Sequence, residues 1–166
     1  MRPINAKGPL EHVIWDLIGK LVTSKDGNNF ISIVVDVLSR FVILRPLRTK
    51  SKEEIALRLV EIFGNFGVPT TLQSDNERAL TTESITKHLR GMAGFKFRRI
   101  MTYFPRTNGL VERYVQESKA LLLKVIKGDT DGWGLFVPAV QMALNDRVIS
   151  RHDGLYFKVL GEKGKE

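Results

Sequence analysis

The chain has 166 residues, 43 % of them hydrophobic and 27 % charged, the size and make-up of one globular domain that buries roughly 70 % of its unfolded surface. It contains no cysteine and only three widely separated histidines, His12, His88 and His152, which excludes a disulfide framework, thiol catalysis and a cysteine-ligated zinc within the chain and makes any bound metal a hard ion held by carboxylates. A net charge of +8 points to a polyanionic partner, nucleic acid or an acidic membrane surface, while no apolar run approaches the roughly 18 residues of a membrane span.

Residues 1–10, with two prolines and a Gly-Pro step, read as an N-terminal arm without the apolar segment of a secretory signal. Residues 12–19 (HVIWDLIG) are an almost unbroken apolar run holding one aspartate, the pattern of a strand buried on both faces. Asp26-Gly27 is a turn signal. Val-, Ile- and Phe-rich stretches over 30–37 and 41–47 follow, divided by Leu38-Ser39-Arg40, which makes three strands in meander order. The period then changes. Ser51-Lys52-Glu53-Glu54 fits a capping box, Ile55, Leu59, Ile62, Phe63 and Phe66 recur at helical spacing, and Gly67 and Pro69 stop the helix. A short strand over 70–73 leads into Ser74-Asp75-Asn76. A second helix after Thr81-Thr82 carries Ile85, Leu89 and Met92, and residues 95–101 (FKFRRIM) alternate as a half-exposed strand does. Beyond a loop holding Pro105, helices are expected over about 108–127 and 133–147, the first with an inward stripe of Val111, Val115, Leu122 and Val125. Residues 162–166 form a charged tail, which leaves 11–161 as one undivided domain.

Three meander strands followed by alternating helices and strands is an α/β order, with a mixed five-stranded sheet flanked by helices, and it matches the ribonuclease H-like architecture. Within that order three carboxylates stand out. Asp16 lies inside an apolar strand, where a carboxylate loses hydration unless a hydrogen-bonded arginine, a lysine or a divalent cation compensates; an aspartate turned outward to water is the other reading. Asp75 follows the C-terminal end of a strand, where ligands gather in open α/β sheets, although Ser-Asp-Asn is equally ordinary turn chemistry. Glu112 shares a polar helical stripe with Gln116 and Lys119 (i, i+4, i+7), although a glutamate in a first turn is also favourable to the helix dipole alone.

An apolar strand around Asp16, then Gln73-Ser74-Asp75-Asn76, then Pro105-Arg106-Thr107-Asn108-Gly109-Leu110-Val111-Glu112-Arg113 resembles the catalytic core of retroviral and gypsy-type LTR-retrotransposon integrases, of the D,D-E transposase-integrase superfamily. The resemblance extends over nearly the whole chain. It takes in Val34-Val35-Asp36-Val37-Leu38-Ser39-Arg40-Phe41, then Phe66-Gly67-Val68-Pro69, then Trp133, Pro138 and Asn145, and finally Gly154-Leu155-Tyr156-Phe157-Lys158-Val159-Leu160-Gly161.

The resemblance implies a ribonuclease H-like fold in which Asp16, Asp75 and Glu112 are catalytic and hold two Mg²⁺ or Mn²⁺ ions. It implies a polynucleotidyl transferase that trims element DNA 3′ ends and joins them to target DNA by transesterification. Two hard cations about 3.5–4 Å apart suit that reaction, since one activates the attacking oxygen and the other stabilises the leaving one. Lys119, with Gln116, Arg113, Asn108 and Arg106, is expected to contact the double-stranded DNA. The family further implies a homodimer or higher multimer, a nuclear site of action, a host tethering protein as an additional partner, and no membrane. With no cysteine, the chain is expected to carry no zinc and to be a core without the family's His-His-Cys-Cys module.

Three features depart from the family pattern. Between Asp75 and Glu112 lie 36 residues against a usual gap of about 35. Glu77 stands where the family commonly has glycine. Phe104 and Arg106 replace its usual His and Gln before Asn-Gly. These departures suit an alternative, a domesticated or degenerate integrase core that keeps the fold as a non-catalytic DNA-binding or dimerisation module.

Overall fold

The computed structural model describes residues 8–74, 87–89, 91, 99–102, 109–126 and 131–151. Its main elements are β1 (His12–Ile18), β2 (Phe30–Asp36), β3 (Val42–Leu47), α1 (Lys52–Phe66), β4 (Thr71–Ser74), β5 (Arg99–Thr102), α2 (Gly109–Ile126) and α3 (Trp133–Arg151). The strands form one sheet in the order β3-β2-β1-β4-β5. β3, β2 and β1 run antiparallel, and β1, β4 and β5 run parallel. This is the mixed five-stranded α/β sheet expected from the element order.

β1 is apolar on both sides because both sides are covered. Side chains of a strand alternate between faces, and here they feed two separate cores. Val13, Trp15 and Leu17 join Val34, Ile43 and Leu47 beneath Ile55, Leu59, Ile62 and Phe63 of α1. Ile14 and Ile18 join Ile31, Ile33, Val35, Val42 and Leu44 beneath Val115 and Leu122 of α2 and Trp133, Val137, Val140 and Leu144 of α3. The fully buried Trp15 spends its only polar atom on Ser32, with Nε1 donating to Oγ at 2.8 Å. The sheet is therefore the middle of three layers, with α1 on one face and α2 and α3 on the other.

An edge strand exposes a row of N–H and C=O groups that invite pairing with another chain. β3 is such an edge, and α3 covers it with side chains. Asn145 accepts from Val42 N and donates to Val42 O, both at 2.8 Å, and Gln141 Oε1 accepts from Leu44 N at 2.8 Å. The next residue of the same parity is Pro46, which has no N–H to offer. The outward donors of the edge are thus taken by two amides or absent by chemistry.

The capping box at Ser51 forms in an altered way. Ser51 Oγ accepts from Glu54 N at 3.2 Å, but the Glu54 carboxylate reaches past the cap. It accepts from Arg48 N (2.7 Å), Thr49 N (2.8 Å) and Thr49 Oγ1 (2.6 Å). Burial alone would raise the Glu54 carboxyl; the Thr49 hydroxyl and the two amides outweigh it and hold the group below its ordinary value. Gly67 ends the helix at φ 94°, and its N–H donates to the Phe63 carbonyl.

Several boundaries differ from the sequence expectation. The Asp26-Gly27 turn does form, with Gly27 N donating to Ser24 O, but it sits at the tip of a longer connection over residues 19–29. α3 continues to Arg151, since Val148, Ile149 and Ser150 contain nothing that breaks a helix. On α2 the buried line runs through Val115, Ser118 and Leu122, whereas Val125 is 39 % exposed. At helical pitch Val125 is turned about 80° from Val115, which carries it to the rim of the stripe. Helical backbone at residues 87–89, with Leu89 buried, falls within the expected second helix. Ile85, Met92 and residues 95–98 lie outside the described residues.

Two outcomes test this account. Glu54→Gln should lower stability by about 1 kcal/mol near neutral pH. Because the folded carboxyl is depressed, its contribution is present above the ordinary Glu range and fades as pH falls through the folded value. Urea titrations of wild type and variant should therefore converge in acid. Asn145→Leu leaves the buried polar groups of Val42 unpaired and should cost about 2–3 kcal/mol, read from the shift in urea midpoint.

Candidate active site

Asp16 is placed by strand parity on the face of β1 that carries Ile14 and Ile18, under α2. Its side chain is 25 % exposed and its charge is met twice. Oδ1 accepts from Leu17 N at 2.7 Å, and Oδ2 pairs with the Lys119 ammonium of α2. A carboxylate mostly removed from water is thereby neutralised by a cation that comes from the helix crossing above it. The two residues are 103 positions apart.

This contact shows which face of α2 is turned to β1. Glu112 belongs to the first turn of the same helix, seven residues before Lys119. At helical pitch that is about 20° round the axis and about 10 Å along it, so position 112 shares the face of α2 that Lys119 turns to β1. Gln116 is exposed, and Arg113 is engaged elsewhere, its Nε donating to Glu117 Oε1 at 3.1 Å on the solvent side. Among the described members of the expected DNA-contact set, Lys119 alone meets Asp16. Asp75, Glu77, Phe104, Arg106 and Asn108 lie outside the described residues, as does the side chain of Glu112. Among the described residues no group of three metal-ligating side chains occurs.

β4 brings the chain to the same place from the other side. It pairs in parallel with β1, and its last residue, Ser74, is opposite Trp15; Asp75 is next in sequence. The two strands are also clamped by a side-chain pair that the sequence reading did not single out. His12 Nε2 donates to Gln73 Oε1 at 3.1 Å, and His12 Nδ1 is buried with no partner among the described residues. Burial pushes the imidazole below its ordinary 6.5, and the Gln73 bond and the nearby Asp36 charge oppose this only in part.

Asp36 is a buried carboxylate of a different kind. It ends β2 and accepts from Leu10 N at 3.0 Å and from Ser39 N at 3.0 Å, and it bonds the Ser39 hydroxyl at 2.5 Å. This holds the residues leading into β1 against the β2–β3 turn. The signal was present as an Asp three residues before a Ser at a strand end, which is turn chemistry.

Past Asp16 the chain must leave β1 through Gly19. Its φ is 134°, and a Cβ there would lie 2.8 Å from both Asn29 O and Phe30 Cδ1, so only glycine fits. Trp133 Nε1 donates to Val22 O at 2.7 Å, and Lys25 N donates to Asp131 O at 2.8 Å, which fastens this connection to the start of α3. Leu17, turned to the face opposite Asp16, lines a cleft of about 610 Å³ together with Gly19, Phe30, Lys20, Arg48 and Lys50. The three cations are exposed, so the end of β1 is bordered by positive charge.

The sheet order, the three layers and the aspartate at the middle of β1 make this a ribonuclease H-like α/β fold, the fold of retroviral integrase catalytic cores. Two solved structures show the likeness. One is the catalytic core domain of BIV integrase, with a TM-score of 0.54 and 22 % identity, covering 85 % of this chain and 82 % of that one. The other is a simian T-cell lymphotropic virus intasome in complex with the PP2A regulatory subunit B56 gamma, with a TM-score of 0.56 and 20 % identity, covering 77 % of this chain and 45 % of that one.

In sequence the relatives are retroviral Pol polyproteins. The chain is 29 % identical over 146 residues to the Pro-Pol polyprotein of simian foamy virus type 3 (strain LK3), matching 88 % of this chain and 12 % of the polyprotein. It is 30 % identical over 131 residues to that of simian foamy virus type 1, matching 79 % and 11 %. With the Gag-Pol polyprotein of avian reticuloendotheliosis virus it is 26 % identical over 155 residues, matching 92 % and 13 %. The chain thus spans about an eighth of the length of the curated relatives it matches. No protein-family model matches the chain.

The His12 clamp has a measurable consequence. As pH falls through about 6.5 the unfolded chain takes up a proton that the folded chain refuses, so stability falls. His12→Gln should lose less stability than wild type between about pH 7 and about pH 5. Equal slopes in urea titrations would mean that His12 titrates alike in both states.

Proposed function

We propose that this chain is the catalytic core of a DNA integrase, a polynucleotidyl transferase that trims the 3′ ends of element DNA and joins them to target DNA. The observation that carries the reading is the meeting of Asp16 with Lys119. With it, the face of α2 that includes position 112 lies toward the strand that carries Asp16, and β4, which ends at Ser74, runs beside that strand.

Asp16, Asp75 and Glu112 would hold two Mg²⁺ or Mn²⁺, which when bound supply Lewis-acid activation of the attacking oxygen and charge stabilisation of the leaving one. Asp16 fits that role on its own structure, since its carboxylate is largely desolvated and already occupied by a cation, the Lys119 ammonium. Lys119 binds a phosphate of the DNA next to the carboxylates, and Gln116, Arg113, Asn108 and Arg106 extend the contact along the backbone. Lys20, Arg48 and Lys50 around the cleft at the end of β1 add a sequence-independent attraction for the same polyanion.

The partners are double-stranded DNA and further copies of this chain. Leu135, Phe136 and Met142 on α3 and Leu57 on α1 are exposed apolar side chains that suit self-association. The reaction needs chromosomal target DNA, which assigns the work to the nucleus, and a host protein that tethers the core there completes the set.

The test is reversal of joining. Wild-type protein with Mn²⁺ should cleave and rejoin a branched DNA that mimics the joined product. Asp16→Asn, Asp75→Asn and Glu112→Gln should each lose about a hundredfold or more. If wild type is as silent as the variants and calorimetry detects no Mn²⁺ binding, the enzyme reading is wrong and the fold serves as a DNA-binding or dimerisation module.

A further inference from the structure

Lys119 has two demands on it. In the structure its ammonium neutralises Asp16, and in the proposed function it binds a DNA phosphate. One ammonium cannot do both at full strength, and the geometry says what decides between them. Asp16 Oδ1 is held by Leu17 N, which leaves Oδ2 as the oxygen that Lys119 uses. Each oxygen keeps a further lone pair, but Oδ2 is the one without a backbone bond, and a divalent cation coordinated there competes directly with the ammonium. The ammonium is then doubly disfavoured, having lost its acceptor and gained a like-charged neighbour. Its four-carbon stem is flexible and its side chain is 19 % exposed, so a path to solvent is open.

We infer that Lys119 is a counter-ion that occupies the Asp16 carboxylate in the absence of metal, and that divalent cation binding displaces it and frees it for a DNA phosphate. The inference rests on the reading of Asp16 as a metal ligand. It makes metal and DNA binding mutually reinforcing through one side chain. Linkage requires that each raises the affinity for the other by the same factor. It also gives the metal-free protein a weaker hold on DNA than the metal-bound one, because the Lys119 ammonium beside the site is engaged by Asp16.

The experiment measures equilibrium binding of a DNA duplex against salt, in EDTA and in Ca²⁺. The proteins are wild type, Asp16→Asn, Lys119→Met and the double variant. In wild type Ca²⁺ should raise affinity of the order of fivefold or more and steepen the log K against log salt slope by about 0.9, one phosphate contact. Asp16→Asn should show the steeper slope already in EDTA and no response to Ca²⁺. The double variant should lose that gain, which separates release of Lys119 from the mere removal of a negative charge.

A second readout needs no variant. Acylation of the Lys119 amine in wild type, followed by mass spectrometry, should be slow in EDTA and accelerate in Mn²⁺. If calorimetry shows that Mn²⁺ binds wild type and not Asp16→Asn, while slope and labelling are the same with and without metal, the counter-ion exchange is refuted and the metal-site reading stands. If Mn²⁺ binding is absent, or unchanged by Asp16→Asn, the metal-site reading itself falls and takes the exchange with it.

Discussion

A carboxylate on the covered face of a central strand must be met by hydrogen bonds or positive charge, and much of this molecule is arranged around how Asp16 is met. Asp16 faces α2 rather than solvent because β1 is the third of five strands and has a core on each side. Leaving such a charge unpaired would cost several kcal/mol. The Lys119 ammonium offsets that cost, and it does so from the rotation of α2 that seats Val115 and Leu122 in the core. The rotation in turn decides which residues of α2 are turned to β1: Val115, Ser118 and Leu122 are buried, Lys119 meets the carboxylate, and Arg113 and Gln116 face outward.

The surrounding scaffold makes the position of Asp16 stiff. His12 and Gln73 join β1 to β4, Asp36 ties the residues before β1 to the β2–β3 turn, and Gly19 forces the exit from the strand. On the far side, Asn145 and Gln141 close the β3 edge. α3 therefore has two duties, apolar packing through Val137, Val140 and Leu144 and polar closure of the edge, and the residues for each sit at helical spacing on adjoining faces. The likeness to the BIV integrase core domain at 22 % identity is of this kind: it concerns the order and layering of the elements, which many sequences satisfy.

Much of the fold was legible in the chain because its signals are local. The unbroken apolar run around Asp16 reads as a doubly covered strand since no polar face is left over, and Ser51, Glu54 and Gly67 mark the ends of α1 by capping chemistry. Where the reading erred, it did so at margins that depend on neighbours. Val125 fits an apolar repeat but falls on the rim, because the helix drifts from an integral spacing. The Glu54 carboxylate bypasses the Ser51 amide for those of Arg48 and Thr49, because the loop before α1 folds back within its reach. The site was legible as three candidate carboxylates and a lysine. Their alternatives, an outward aspartate or a solvated helix face, have the same local sequence.

By itself the sequence determined the element order, the nearly unbroken apolar run of β1, the absence of any thiol ligand and the presence of a carboxylate where hydration is scarce. Only the tertiary structure decided which cation answers that carboxylate and which side chains seal the sheet. Both contacts, Lys119 with Asp16 and Asn145 with Val42, join residues 103 positions apart. Local periodicity carries no information across such a distance. It states which face of a helix is buried, whereas the partner met on that face follows from the angle and height at which the helix crosses the sheet, set by the summed fit of two cores.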